Sequence, residues 1–232
     1  IAYNVGYTYK DLLYDYSKIK PAFIKWLQDY DQDSNDGPSF FSGRAYELLD
    51  YQVNKWPGHG LPDTGTLHNF VEKEYMQADE YDLFMKDPFD FGLRKFTPRT
   101  WGAFAPLANI PSISSYQGLP QRLMGMCLDP AFQKLFKAVW EAAQEQAKLQ
   151  KVVGECSMIA LESGYPPLMG GIALAPFDTV ADMLRGTRGS VLDMYRQPEK
   201  LLEALEVIAI RSIESAVDMA TMSRSPIIFV PM

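Results

Sequence analysis

Residues Gly170 to Gly186, GGIALAPFDTVADMLRG, constrain the fold more than any other stretch. The run Gly171-Ile172-Ala173-Leu174-Ala175 is continuously apolar, as a strand buried on both faces is. Pro176-Phe177 turns it into a helix that Asp178 is placed to cap. A strand, a short loop and a capped helix in such close succession predict the βα unit of a parallel sheet. Parallel α/β proteins place their sites at such strand-to-helix turns. Phe177 and Asp178 are therefore the first candidate substrate-binding residues.

The sequence on either side extends this reading. Arg185 and Arg188 flank the glycines of Gly186-Thr187-Arg188-Gly189, which interrupt the helix. Arg185 either clamps a ligand carboxylate or pairs with acids of the protein itself. Met194-Tyr195 close a turn, and Pro198 opens a helix bearing Leu201, Leu202, Leu205, Ile208 and Ile213. Ser225-Pro226 end that helix, and Ile227 to Val230 form a second apolar strand. A parallel strand there lacks the helix that should cover it, so the chain is expected to be part of a longer protein. Upstream, Asp129-Pro130 pair a cap with a proline at the first helical position, and Phe132, Leu135, Phe136, Val139 and Trp140 form a buried stripe. Carried through Ile159 to an end near Gly164, that helix is about 50 Å long at 1.5 Å per residue. A break near Val153-Gly154 is expected.

The N-terminal part is less regular. Pro21 suits a helix carrying Ala22, Phe23, Trp26, Leu27 and Tyr30 at helical spacing. Asp29 to Pro38, DYDQDSNDGP, reads as a solvated loop without the ligand order of a calcium-binding loop. Ala45 to Tyr51 is short helix. His59, between two glycines in Trp56 to Gly65, WPGHGLPDTG, is either a ligand contact at a pocket mouth or a surface histidine in a turn. Thr66 to Met85 is expected to be helix, with His68 in its first turn and a solvated acidic face. From Asp87 to Leu119 aromatics, Tyr116 among them, alternate with Pro and Gly, which suits packed irregular structure or helical excursions over a barrel mouth.

Composition excludes some partners. A formal charge of −7 and scattered Lys and Arg argue against nucleic acid. No run of about 18 apolar residues is present, which argues against a membrane span and predicts a cytoplasmic protein. The two cysteines, Cys127 and Cys156, both fall in helical apolar settings where thiols are usually inert.

These segments taken together resemble the uroporphyrinogen decarboxylase superfamily. The apolar strand ending in Ala175-Pro176-Phe177-Asp178 carries the similarity, as do Met194 to Leu201, MYRQPEKL, and Glu72 to Asp82, EKEYMQADEYD, followed by Asp87-Pro88-Phe89. The resemblance runs from about Trp56 to the end. It implies an α/β fold, the (β/α)8 TIM barrel. Residues 1–55 would be a helical N-terminal excursion and 56–232 the first part of an incomplete barrel, since such barrels need about 250 residues. It also implies an enzyme, closer to the corrinoid-dependent methyltransferases than to the decarboxylases of porphyrin biosynthesis. The partners would be a corrinoid protein carrying the cobalamin and a small-molecule methyl donor or acceptor, and a homodimer is left open. The family's zinc, held by a His-x-Cys pair and a distant Cys, would have its ligands outside this chain, so neither Cys127 nor Cys156 is assigned to it. True decarboxylases carry an Arg-Gln-Ala-Gly-Arg-Tyr segment that does not occur here; the Arg196-Gln197 pair leads into Pro198. Decarboxylation and a non-enzymatic ligand-binding barrel are the alternatives. Phe177, Asp178, Arg185 and His59 are the residues expected to bind substrate.

Overall fold

A computed structural model describes residues 2–111, 118–223, 225 and 227–231. The fold is mostly helical, at 66%, with few strands. The chain divides into two compact units, residues 1–71 with 137–168, and residues 72–136 with 169–232. Tyr116 and Pro226, named above, lie outside the described residues.

In the first unit α1 (Tyr9–Tyr14) opens with a capping box. Thr8 Oγ1 accepts from the Asp11 amide at 3.1 Å, and Asp11 accepts from the Thr8 amide at 2.8 Å. Lys18 adds an ion pair to Asp11 at 2.6 Å. These contacts hold the Asp11 carboxyl down at about 2, led by the Lys18 hydrogen bond. In α2 (Ile19–Asp29) Ala22, Phe23 and Leu27 of the predicted stripe are buried together with Ile19, whereas Trp26 is half-buried and Tyr30, just past the helix, is exposed. The buried residues pack on Leu149, Cys156 and Ala160 of the long helix Pro130–Glu162. Ser42 caps α3 (Gly43–Leu48) and shares a buried 2.5 Å hydrogen bond with Tyr16. Three short strands, β1 (Asn54–Pro57), β2 (Gly60–Leu61) and β3 (Asn69–Phe70), form a sheet in the order β2-β1-β3.

The expected helix over Thr66–Met85 does not form. Its first residues enter β3, and only α4 (Tyr81–Lys86) is helical. The cause lies in the carbonyls of the intervening segment. Those of Tyr75, Met76 and Ala78 accept from the side chains of Arg99, Arg185 and Gln197, at 2.7, 2.6 and 2.9 Å. Bonds from distant side chains replace the helical ladder.

Beyond α4 the second unit continues through α5 (Pro88–Phe91) and, after a π-helical turn, α6 (Thr97–Thr100). After α7 (Leu119–Leu128) comes α8 (Pro130–Glu162), whose residues 130–136 belong to this unit and 137–162 to the first. The break expected near Gly154 is absent. A glycine there costs about 1 kcal/mol relative to alanine, but the buried stripe Leu149, Cys156 and Ala160 runs across it.

The predicted parallel pair is present, shorter than expected. β4 (Gly171–Ile172) leads into α9 (Pro176–Asp178), a π-helical turn over Thr179–Leu184, α10 (Gly186–Arg196) and α11 (Pro198–Ser223). The chain then returns as β5 (Ile228–Phe229), parallel to β4 with Gly171 opposite Ile228 and Ile172 opposite Phe229. Further backbone bonds, Gly170 to Ile227 at 2.8 Å and Ala173 to Phe229 at 3.0 Å, extend the pairing beyond both strands. The interruption expected over Gly186–Gly189 shrinks to Gly186, whose φ of +70° breaks the helical path at the first residue of α10. The core of this unit joins Met76, Tyr81, Phe84 and Phe91 to Val180, Leu184, Leu201, Ala204 and Ile208. Among the described residues no closed barrel is formed, and no helix is long and apolar enough to cross a membrane.

Candidate functional site

The turn after β4 is built by Pro176. With φ fixed by its ring, proline at the first helical position draws the helix start upstream, so Ala175, in extended conformation, takes the cap position. Asp178 thus sits inside the first turn instead of at the cap, and its side chain makes no capping hydrogen bond. Phe177 is half-buried against the core of the second unit.

Beside the turn lies a cavity of about 410 Å³. Ile172, Ala173 and Leu174 form one wall, Phe84 and Leu184 another, and Ile208 and Met219 of α11 a third. The lining is mostly apolar, with Ser212 and Ser215 inside it and Arg211, paired to Glu214 at 3.0 Å, at its margin. Its volume lies within the range of about 300–1,000 Å³ usual for small-ligand sites. It can hold an apolar group and exclude water from it. None of the four candidate residues lines it: Phe177 and Asp178 lie in sequence between its lining residues Leu174 and Thr179, while Arg185 and His59 are placed elsewhere.

Arg185 is buried, and each face of its guanidinium is taken. Nε donates to Asp193 at 2.6 Å and Nη2 to the other oxygen of the same carboxylate at 3.4 Å; Nη1 donates to Glu74 at 2.8 Å and to the Met76 carbonyl at 2.6 Å. Pairing with the protein's own acids is therefore what the structure shows at this residue. Tyr81 Oη and Gln197 Nε2 complete the shell of Asp193 at 2.9 and 3.0 Å. Burial works against the charge on Asp193, but the hydrogen bonds from Arg185, Gln197 and Tyr81 outweigh it and hold the carboxyl below its ordinary value. Burial and the carboxylate together push the Tyr81 hydroxyl up.

Neither Asp193 nor Tyr81 is part of a motif that marks it as a site residue. The signal was present in α10: Gly186, Gly189, Ser190 and Asp193 are its buried residues, at three- and four-residue spacing, with no large side chain among them. A stripe that small leaves room for something bulky. A Cβ at Gly189 would lie 3.2 Å from Arg185 Cζ. A second clamp, Arg99 on Glu80 at 2.6 and 2.7 Å, holds the other end of the same segment.

His59 belongs to the first unit, exposed, with its ring stacked on Trp56 at 4.2 Å and 14°. His68 lies before β3 with its ring edge-on to Phe41 and Phe70. Among the described residues no three His, Cys, Asp or Glu side chains come together as a metal site requires. Cys156 is buried in the first unit, its thiol pushed up to about 11 by burial, which is unsuited to a thiolate ligand. Cys127 is exposed on α7, contrary to the core position expected for it. The described donors do not fit a zinc site. Compared with models of protein families, with curated proteins and with solved structures, the chain matches none.

Proposed function

We propose that this chain is a uroporphyrinogen decarboxylase-superfamily protein of the (β/α)8 type, acting in methyl transfer between a small molecule and a corrinoid protein. The observation that carries the reading is the parallel pairing of β4 and β5 through a helical crossover, with a ligand-sized apolar cavity against the strand end. Barrels of this class are built by repeating that unit, with their sites at the strand C-termini. The segment Glu72 to Asp82, on which the resemblance partly rests, is held to the helices after β4 by Arg185 and Gln197, which supports treating both as parts of one architecture.

In this reading the chain's own residues enclose the substrate. Ile172, Leu174, Phe84 and Met219 surround its apolar part and exclude water, while Asp178 offers a carboxylate to a hydrogen-bond donor near the turn. No step is routed through zinc, since the described residues do not hold it.

The test mixes the purified protein with a methylated corrinoid protein and a thiol acceptor, and follows the corrinoid absorption spectrum and the methylated thiol. Demethylation of the corrinoid that depends on this protein, and that weakens when Ala173→Phe fills the cavity, is the expected outcome. Carbon dioxide release from uroporphyrinogen without any corrinoid change would move the assignment to the decarboxylases. Inertness towards both, with the cavity still binding small apolar molecules, would leave a ligand-binding barrel.

A further inference from the structure

Helix α11 meets the 410 Å³ cavity with a mixed surface. Its buried stripe begins apolar, at Leu201, Ala204 and Ile208, and an apolar lining returns at Met219. Between them the residues that line the cavity are Arg211, Ser212 and Ser215. Ser215 follows Ser212 by three positions and Arg211 by four, so the three share one face of the helix within about one turn. Packing against the apolar end of β4 alone would select a continuously apolar stripe. The polar step points instead to something polar that the cavity holds.

The two hydroxyls also differ from their neighbours. Further along α11, Thr221 and Ser223 donate back to the carbonyls of Val217 and Met219 at 2.8 and 2.7 Å. Ser157 in α8 and Ser190 in α10 do the same to Val153 and Gly186, at 3.1 and 3.0 Å. Ser212 and Ser215 enter none of the described hydrogen bonds, so each can donate into the cavity they line. Of the described lining residues only Arg211 is charged. Its Nη1 donates to Glu214 at 3.0 Å in a pair exposed on both sides, a kind that contributes little to stability. Its Nε and Nη2 enter no described hydrogen bond. Those two donors form the edge of a guanidinium that grips a carboxylate with two parallel bonds.

We propose that the cavity takes a small amphipathic carboxylic acid, its apolar body against Ile172, Leu174 and Met219 and its carboxylate accepting from Ser212, Ser215 and the open edge of Arg211. As a statement about substrate this rests on the cavity being the site of the methyl-transfer reading, to which it adds that the methyl donor or acceptor is an acid. A purely apolar molecule leaves both hydroxyls and the guanidinium edge unused, and a cation meets Arg211 as a like charge.

The experiment titrates the protein with hexanoate, 1-hexanol and hexylammonium, three probes with the same apolar chain, and follows backbone amide resonances without any corrinoid present. Saturable shifts over residues 172–174 and 211–215 are expected, with hexanoate at least about tenfold tighter than either other probe. Arg211→Met keeps the stem and removes the charge, so hexanoate should fall to the level of 1-hexanol while 1-hexanol itself is unchanged. Ser212→Ala with Ser215→Ala should weaken hexanoate by about tenfold or more. The resonances of Met76 and Tyr81, in the core of the same unit, check that each variant is folded. No saturable shift with hexanoate, equal binding of hexanoate and hexylammonium, or a hexanoate preference that survives Arg211→Met would each overturn the proposal. Hexanoate preference without corrinoid demethylation would strike the methyl-transfer reading and leave the acid site standing, whereas demethylation without any such preference would strike the acid site alone.

Discussion

Arg185→Met isolates the clamp on the segment 72–80. Arg185 and Asp193 are 3% and 2% exposed at their side chains, so methionine leaves a buried carboxylate with Tyr81 and Gln197 as its remaining donors. Breaking a buried pair from one side costs about 3–5 kcal/mol, because the partner charge is stranded. The Glu74 arm adds little, since that carboxylate is 45% exposed and pairs of this kind contribute about 0–1 kcal/mol. Hydrogen exchange resolves the effect locally: at neutral pH the opening free energy of peptides covering 72–80 and 186–196 should fall by about 3–5 kcal/mol. Peptides around Leu149 to Ala160, in the other unit, serve as the internal reference. If the stranded charge is the cause, adding Asp193→Asn to the methionine variant should restore part of the loss. The same logic fixes the pH dependence. In the wild type the Asp193 carboxyl lies below its unfolded value, so its contribution is present above about pH 4 and is lost as pH falls through the folded value. In the variant the orphaned carboxyl rises instead, so the gap between the two proteins should narrow on acidification. A cost under about 1 kcal/mol, or an Asp193→Asn substitution that adds to the methionine defect, would show that no stranded charge is involved.

Other consequences are as direct. Asp11 should titrate near pH 2 by carboxyl NMR, with its contribution to stability present above about pH 4 and lost as pH falls toward 2; Lys18→Met should move that midpoint up. Gly43→Ala should destabilise the first unit by about 1–3 kcal/mol in thermal unfolding. The new Cβ would meet the Tyr14 ring at 2.7 Å, and that ring is tethered by Glu47 and Trp56. Asp178→Ala should change stability by less than about 0.5 kcal/mol, because the carboxylate caps nothing; a loss near the 1 kcal/mol of a true cap would restore it to that role.

The elements legible in the sequence were those whose evidence is local. Asp129-Pro130 and Pro198 mark the starts of α8 and α11, and the apolar runs at Gly171 and Ile227 mark the parallel pair. What failed was decided at a distance. Thr66 to Met85 has helical periodicity, but the guanidinium groups of Arg99 and Arg185 outcompete its own amides for the carbonyls. Asp178 has the right residue type for a cap, and Pro176 displaced it. At the candidate site the turn that carries Phe177 was legible, whereas Arg185 could be read equally as a ligand clamp or as an internal pair. The choice between those depended on Asp193, eight residues downstream of it, and on Tyr81, which is 112 residues from Asp193.

The clamp on residues 72–80 also orders events in time. Its hydrogen bonds to Arg185 and Gln197 span 109 and 119 residues of chain. At a synthesis rate of about 5–20 residues per second, this segment leaves the ribosome roughly 5–20 s before those partners exist. Through that interval its carbonyls face only water or whatever else is at hand. The clamp on this segment can therefore close only after residues 185 and 197 have been made.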